Sequence, residues 1–488
     1  MRSKTPAPFG NYEPDKGAAS GVARVAKGVL SIGKRYAPLP SPVAYSSSPL
    51  NDFCLGARGF YDATGLPVSF LGDTGRLYRL LKKEPVDVSR PGGYAADPDW
   101  QWSFGQYNNF IFAAARGVPL QYIELGGTGT FADVPGAPTA EVVFRIRNHL
   151  FACAGRTVNW SAFNDPLDWE PDFATQAGAA ELGQERGIIV AGVGGEQGAI
   201  FQERGIVRVT YQGGEIPWIF DEVEGGRGAC SPGSVSRWGT GAFVCAEDGF
   251  YFWDGLKIDP IGQDRVDLTF SRDLNYPYRG RVISAIDTVN KCWMVAYPAG
   301  SSVVCNRQLI YSWADNRWTH DDLDVQALFE MPRDGVNADD QEAIEALFGT
   351  ANVDELTDVS VDSAAWRESR KSWVMVDTDR KVRVFTGTPR RAVVETGEFE
   401  PNPAQQTYLS EIWPVTDAEP GDVEITVYAR QRLGEQPCFA DSNGVNEYGC
   451  CELRAEGRFL RAEMAIRAGA RWSEAHGIHW DGEPSGER

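Results

Sequence analysis

A repeated strand–turn–strand pattern constrains this chain most. An apolar or aromatic run is followed by a polar turn holding Gly, Asn or Asp, and then by a second apolar run, as in β-hairpins. The clearest case runs from Gly241 to Ala246, turns at Glu247-Asp248-Gly249, continues through Phe250–Trp253 and turns again at Asp254-Gly255. Further turns fall at Asp73-Thr74-Gly75, Asn108-Asn109, Asn148-His149, Glu203-Arg204-Gly205, Thr288-Val289-Asn290 and Thr378-Asp379-Arg380. Successive hairpins lie roughly 35–55 residues apart, with one longer gap. That spacing suits the blade of a β-propeller, in which each blade is one four-stranded sheet.

The expected fold is therefore all-β, a propeller of about six or seven blades with a small C-terminal β region. The 15 Trp, 17 Tyr and 24 Phe fit sheets packed face to face by bulky side chains. A large β-sandwich assembly is the competing architecture, because spacing does not reveal ring closure. The chain divides into a basic N-terminal arm with its first strands over 1–55, a propeller over 56–414, and a C-terminal β region with a polar tail over 415–488. An acidic insertion at 332–365 contains helical spacing over Asp339–Phe348. Glu424–Tyr428 and Arg458–Ile466 alternate like strands, and would either form a terminal β domain or complete the last blade.

Charge narrows the function classes. The net charge is −20, the opposite of what a grip on DNA phosphates needs. Residues 1–35 run against this trend: seven basic residues face Glu13 and Asp15, leaving +5 on the arm and −25 on the remainder. Such an arm would meet an acidic partner or phosphate, or be a solvated terminus. No apolar run approaches the length of about 18 residues that spans a bilayer, and the start lacks the apolar stretch of a secretory signal. Nine cysteines at irregular spacing read as reduced thiols of a protein that folds in a cytosol.

The search for chemistry returns turns rather than sites. Gly28–Arg35 nearly matches a phosphate-binding loop, but Arg35 stands where a magnesium-holding hydroxyl is needed, and the prolines after it forbid the helix. In Gly192–Gly198 the third glycine of a dinucleotide loop would fall at Gln197, so a hairpin turn is expected. Glu247 and Asp248 are adjacent in a tight turn and cannot face each other across a sugar as paired glycosidase carboxylates do. His476 and His479 are two ligands without a third. No catalytic residue, metal ligand or cofactor is assigned, and the chain is read as a non-enzyme.

Several blocks resemble, in consistent order over roughly residues 60–320, a family of short-tailed bacteriophage proteins known as tail hub, nozzle or packaged-DNA stabilisation proteins. They are Leu71–Tyr78; Val158–Trp169 with Trp160, Asn164, Asp165 and Trp169; and Ala199–Arg208 with Phe201, Gln202, Glu203 and Arg204. They continue with Phe220–Val235, holding Asp221, Glu224, Gly226, Arg227, Gly228, Pro232 and Gly233; Ala246–Tyr251 with Glu247, Asp248 and Gly249; Asp259–Gly262; and Leu309–Trp318. The resemblance implies a virion structural protein: a homo-hexameric tail ring below the portal and adaptor proteins, with distal tail or fibre proteins beyond it. Its lumen would retain packaged double-stranded DNA and pass it at genome ejection without sequence-specific binding. Assembly would take place in the bacterial host cytoplasm. It implies no catalytic residues. Arg227 is expected to pair with a carboxylate within or between subunits. The reading from a different class is a glycan-binding or glycan-cleaving propeller at the host surface, whose aromatics stack on sugars.

Overall fold

The computed structural model describes residues 5–17, 21–127, 129–332, 371–402 and 405–485. The expected helical stretch at 339–348 lies outside the described residues. Among the described residues, seven four-stranded antiparallel units succeed one another, six as separate sheets and one as the first four strands of a nine-stranded sheet. Their first strands are Gly56–Tyr61, Ser103–Tyr107, Val142–Ile146, Ile189–Val193, Val235–Trp238, Ile283–Asp287 and Val325–Pro332. Each of these strands packs against the next, and the seventh packs against the first. The ring is therefore closed, and the fold is a seven-bladed β-propeller, with blades numbered here in that order.

The hairpin turns named above join paired strands. Blade 1, for example, pairs Pro67–Gly72 with Leu77–Leu81 across the Asp73 turn. Burial follows from the alternation of each strand. Side chains on one face of a blade meet those of its neighbour, and every gap between neighbouring blades is filled by its own apolar cluster. The largest cluster runs from the gap between blades 5 and 6, where Phe243, Phe250, Trp293 and Trp318 are buried against one another, into the N- and C-terminal sheets.

The described N-terminal residues are built into the fold. Pro40–Ala44 pairs with Val382–Pro389 and supplies the fourth strand of blade 7, so the ring is closed by strands from both ends of the propeller sequence. Ala26–Lys27 lies between the outer strand of blade 6 and Ala392–Glu395. Several of the described basic side chains are engaged internally. Arg24 donates to the Pro14 and Lys16 carbonyls, Lys27 pairs with Asp322, and Arg35 pairs with Glu474. The charge count was right, but it says nothing about which carboxylates the fold brings to these residues.

The C-terminal residues build a β-sandwich jointly with the N-terminal ones, while Pro40–Ala44 completes the last blade. One sandwich sheet continues outward from blade 6 through Ala26–Lys27, Ala392–Glu395, Phe459–Ile466, Val423–Arg430 and Cys438–Gly444. The other holds Val29–Ile32, Arg35–Pro38, Ala475–Ser485, Gln406–Thr416 and Cys451–Gly457, with Thr5–Pro8 added to the long C-terminal strand. Strict alternation places Leu453 and Ala455 in the core of this unit. At Gly28 the chain steps from one sheet to the other. Its φ is +68°, and a side chain would strike the Arg391 carbonyl oxygen at 2.3 Å, so only glycine fits there. A buried pair, Arg430 with Glu398, braces the sandwich where the chain crosses between sheets, and Arg430 also donates to the Leu433 and Glu435 carbonyls.

No disulfide joins the described cysteines, and burial pushes the Cys54 and Cys451 thiols up to about 12. Among the described residues, no helix is long and apolar enough to cross a membrane.

Candidate functional site

Strand direction alternates within each blade. The connections from one blade to the next therefore lie on one face, together with the turns between second and third strands. This face and the axis it surrounds carry the polar groups of interest. The signature residues map to blades 3, 4 and 5, and most of them shape the chain.

In blade 3, the Trp160 indole donates to the Gln176 carbonyl at 2.8 Å and lies over Gly178. Asn164 takes a positive φ of 63° and accepts from the Asn148 amide at 2.7 Å. Asp165 caps its own turn at Leu167 N–H, and Trp169 is buried between blades 2 and 3. In blade 4, Phe201 is buried edge-on to Trp253. The buried Gln202 amide donates to the Gly187 carbonyl, and Glu203 and Arg204 form the turn behind it. Asp221 pairs with Arg208 at 2.9 Å, while Glu224 sits opposite Ile206 in the outer strand.

The connection from blade 4 to blade 5 follows. Gly226 has φ +118°, and a side chain at Gly228 would strike the Gln202 carbonyl oxygen at 1.8 Å. Pro232 opens a short 3-10 turn capped reciprocally by Ser231 and Ser234. These groups fix the path of the loop and leave Arg227 projecting from it. Arg227 stands 3.5 Å from Asp248 and lies over the Tyr251 ring at 5.0 Å. Tyr251 donates to Asp248 at 2.8 Å, and Glu247 holds Arg279 at 2.7 Å.

A shallow pocket of about 390 Å³ opens beside Arg227, lined also by Asp15, Asp248, Asp264 and Asp267. Burial raises the Asp267 carboxyl to about 7, and Asp15, Asp248 and Asp264 add to the effect against the opposing Phe250 N–H bond. Gly249 makes room for this carboxyl: at φ +146°, a side chain there would meet Asp267 at 2.3 Å. Arg227 and Asp248 are each about half exposed. Their pairing within one chain therefore contributes under about 1 kcal/mol. Arg227→Ala is expected to lower the melting temperature by no more than a few degrees. A larger defect in assembly than in stability, read by size-exclusion chromatography beside thermal melts, would place Arg227 at a contact between subunits. If both measurements are unchanged, it is only a surface charge.

The axis was not legible in the sequence. The channel is a cavity of about 520 Å³, lined by first strands of the blades and including Arg58, Arg237, Ser284, Gln326 and Glu330. Gln101, in the connection to blade 2, reaches across to the far side of the ring. Its amide donates to the Gly280 and Val282 carbonyls at 3.0 Å, and its carbonyl accepts from Gly233 N–H at 2.7 Å. Gly233 thus has a role: a side chain there would collide with Gln101. Arg58 and Arg237 stand in strands that read as ordinary hairpin arms, and only ring closure turns them toward a shared axis.

The glycine loops and the histidine pair fall in turns and on a strand. Gly33 and Lys34 form the tight positive-φ turn of a hairpin, and Gly194–Gln197 joins two strands of blade 4. His476 and His479 lie on the long C-terminal strand. Among the described residues, no group of three or more His, Cys, Asp or Glu is placed to hold a metal.

No protein-family model matches the chain, and no curated protein does. Similar solved structures include BamB from Moraxella catarrhalis, 8% identical over 63% of this chain and 90% of that one, with a TM-score of 0.35. YCF48 from Cyanidioschyzon merolae is 10% identical over 58% of this chain and 88% of its own, with a TM-score of 0.38. YCF48 bound to D1 peptide is 11% identical over 58% and 86%, with a TM-score of 0.35. The assignment of seven blades rests on the sheet topology.

Proposed function

We propose that this chain is a structural subunit of the ring that closes a short bacteriophage tail, a homo-hexamer below the portal and adaptor that retains packaged DNA and passes it at ejection. The observation that carries the reading is the ordered set of blocks between Leu71 and Trp318, which resembles the tail hub and nozzle family. The fold supports it. A closed propeller welded to a sandwich through one continuous nine-stranded sheet is a stiff building block, suited to bearing load between neighbours. The alternative, a glycan-binding or glycan-cleaving propeller, would be favoured by paired carboxylates on the axis. The described channel lining instead holds Glu330 with Arg58 and Arg237. Electron microscopy of the purified protein, or of the particle that contains it, tests the proposal. A six-fold ring is expected, and a monomer that binds oligosaccharide would overturn it.

In this reading the DNA lumen lies between subunits and not through a propeller. The axial channel is crossed by Gln101 and lined by arginine residues, whereas the major groove of B-DNA alone is about 12 Å wide. The net charge of −20 gives phosphates little to hold, since electrostatic binding requires Lys and Arg to displace counterions. Assembled rings should bind a duplex weakly at physiological salt. Tight binding with a steep salt slope, titrated at two salt concentrations, would mean that the lumen grips DNA, and the passive conduit would have to be abandoned.

A further inference from the structure

The axial channel has the makings of a ligand site that a tail role does not use. The first strand of each blade is the innermost of its sheet and ladders with the second strand of its own sheet. Several backbone groups on its other edge are already engaged, Val143 with the Ser103 hydroxyl and Ile286 N–H with Glu330. Arg58 and Arg237 both line this channel, Arg58 from blade 1 and Arg237 from blade 5, three places apart in a ring of seven. The Arg237 guanidinium lies beside Gly195, in a turn of blade 4.

Neither arginine is spent on a carboxylate among the described residues. Arg58 donates through Nη1 to the Phe104 carbonyl at 3.0 Å, and Arg237 through Nε to the Gly239 carbonyl at 3.2 Å. A guanidinium has five N–H donors, so most of each fork remains for something else. Both side chains stay accessible to the channel. Burial nevertheless works against their charged forms, and at Arg58 the nearby Arg237 adds to the effect while Glu330 opposes it. Glu330 shares the lining, with Oε1 accepting the Ile286 N–H at 3.2 Å. The described lining therefore carries two positive charges against one negative in a cavity of about 520 Å³, a size within the usual range for small-molecule sites.

We propose that the propeller axis binds a tetrahedral oxyanion, phosphate or sulfate, free or carried on a small molecule, between Arg58 and Arg237. The geometry selects the class. A carboxylate presents two coplanar oxygens and suits one bidentate fork. Donors carried on two separate blades call for an anion whose oxygens point in several directions.

The test uses the full-length protein, with sodium phosphate and sodium sulfate compared against sodium chloride at matched ionic strength, by thermal shift and by isothermal titration. A saturable rise in melting temperature specific to phosphate or sulfate is expected. Arg237→Gln and Arg58→Gln should each weaken the affinity tenfold or more. Glu330→Gln should tighten it several-fold, because it removes the opposing charge while keeping an acceptor for the Ile286 N–H. Lys257→Gln, at an exposed pair with Asp259, should leave it unchanged. Arg58 also braces blade 2, so Arg237→Gln carries the test if Arg58→Gln fails to fold. A phosphate ester that binds more tightly than the free ion would identify the group as part of a small molecule. No response beyond that to chloride, or a response that survives Arg237→Gln, would overturn the site. The outcome does not depend on whether the protein forms a ring.

Discussion

Deleting residues 1–45 is expected to abolish folding, not to release an arm. The deletion removes the outer strand of blade 7, the link between blade 6 and the sandwich, and a hairpin of the second sandwich sheet. It also removes Tyr12, Ala26, Val29, Leu30, Tyr36 and Leu39, all buried. Each large apolar side chain lost from a core costs about 2–5 kcal/mol, against a total stability of about 5–15 kcal/mol for a typical domain. The truncated chain should be insoluble, or lack a cooperative melt by circular dichroism. A truncated protein that melts cooperatively within a few degrees of the full chain would show that the propeller closes without its N-terminal strand. The same reasoning changes how the basic segment is to be probed. Charge reversal at single exposed residues is informative, whereas deletion confounds charge with fold.

The contrast between what was legible and what was not has a physical basis. Local signals were faithful. The Gly, Asn and Asp turns mark real hairpins because those residues supply the backbone conformations that tight turns need, and the blade spacing follows from hairpin length. Long-range pairings leave no such mark. Pro40–Ala44 joins Val382–Pro389 across most of the chain, and no periodicity announces it. The prolines around it excluded a helix, and they suit an edge strand whose outward N–H groups need no partner. The sandwich was half visible, since Arg458–Ile466 and Glu424–Tyr428 alternate as strands should, but its other sheet borrows N-terminal strands. The axial residues were invisible for the same reason: Arg58 and Arg237 line one channel only because the ring closes. The signature residues were found by resemblance, and their positions explain their identities as turn glycines, buried aromatics and capping side chains more than as a shared surface.

Acid should destabilise the protein through His320 while Asp267 partly masks the effect. His320 is buried against Tyr12, with ring centroids 4.7 Å apart, and neither ring nitrogen has a hydrogen-bond partner among the described residues. Burial lowers its pKa from 6.5 to about 4, with Asp322 opposing the shift and Arg307 and Lys27 adding to it. Above pH 6.5 the ring is neutral in both folded and unfolded chains, and the full stability is present. As pH falls from 6.5 to 4, the unfolded chain takes a proton that the folded one refuses, so stability is lost across that window. At 1.36 kcal/mol per pKa unit the loss amounts to about 3 kcal/mol. Asp267 has the opposite sign. Its carboxyl, raised to about 7 from 3.8, takes up a proton in the folded chain first, so acidification over pH 7 to 4 adds stability, moderated by its partial exposure. The wild-type profile should therefore be shallow between pH 7 and 4.5. His320→Leu, which removes the titration without removing a hydrogen bond of the ring, should make stability rise on acidification relative to wild type. Asp267→Asn, which keeps an acceptor for the Phe250 N–H, should make it fall more steeply. Chemical denaturation at pH 7, 6, 5 and 4.5 reads both slopes. Carboxylates with lowered pKa values, such as Asp52 and Asp417, lose their contributions mainly below this range, and they cancel in the comparison between variants. A His320→Leu profile parallel to wild type over the whole window would mean that the ring is hydrated in the folded state, and that the junction between blade 6 and the N-terminal segment is looser than the buried packing of Tyr12 on His320 implies.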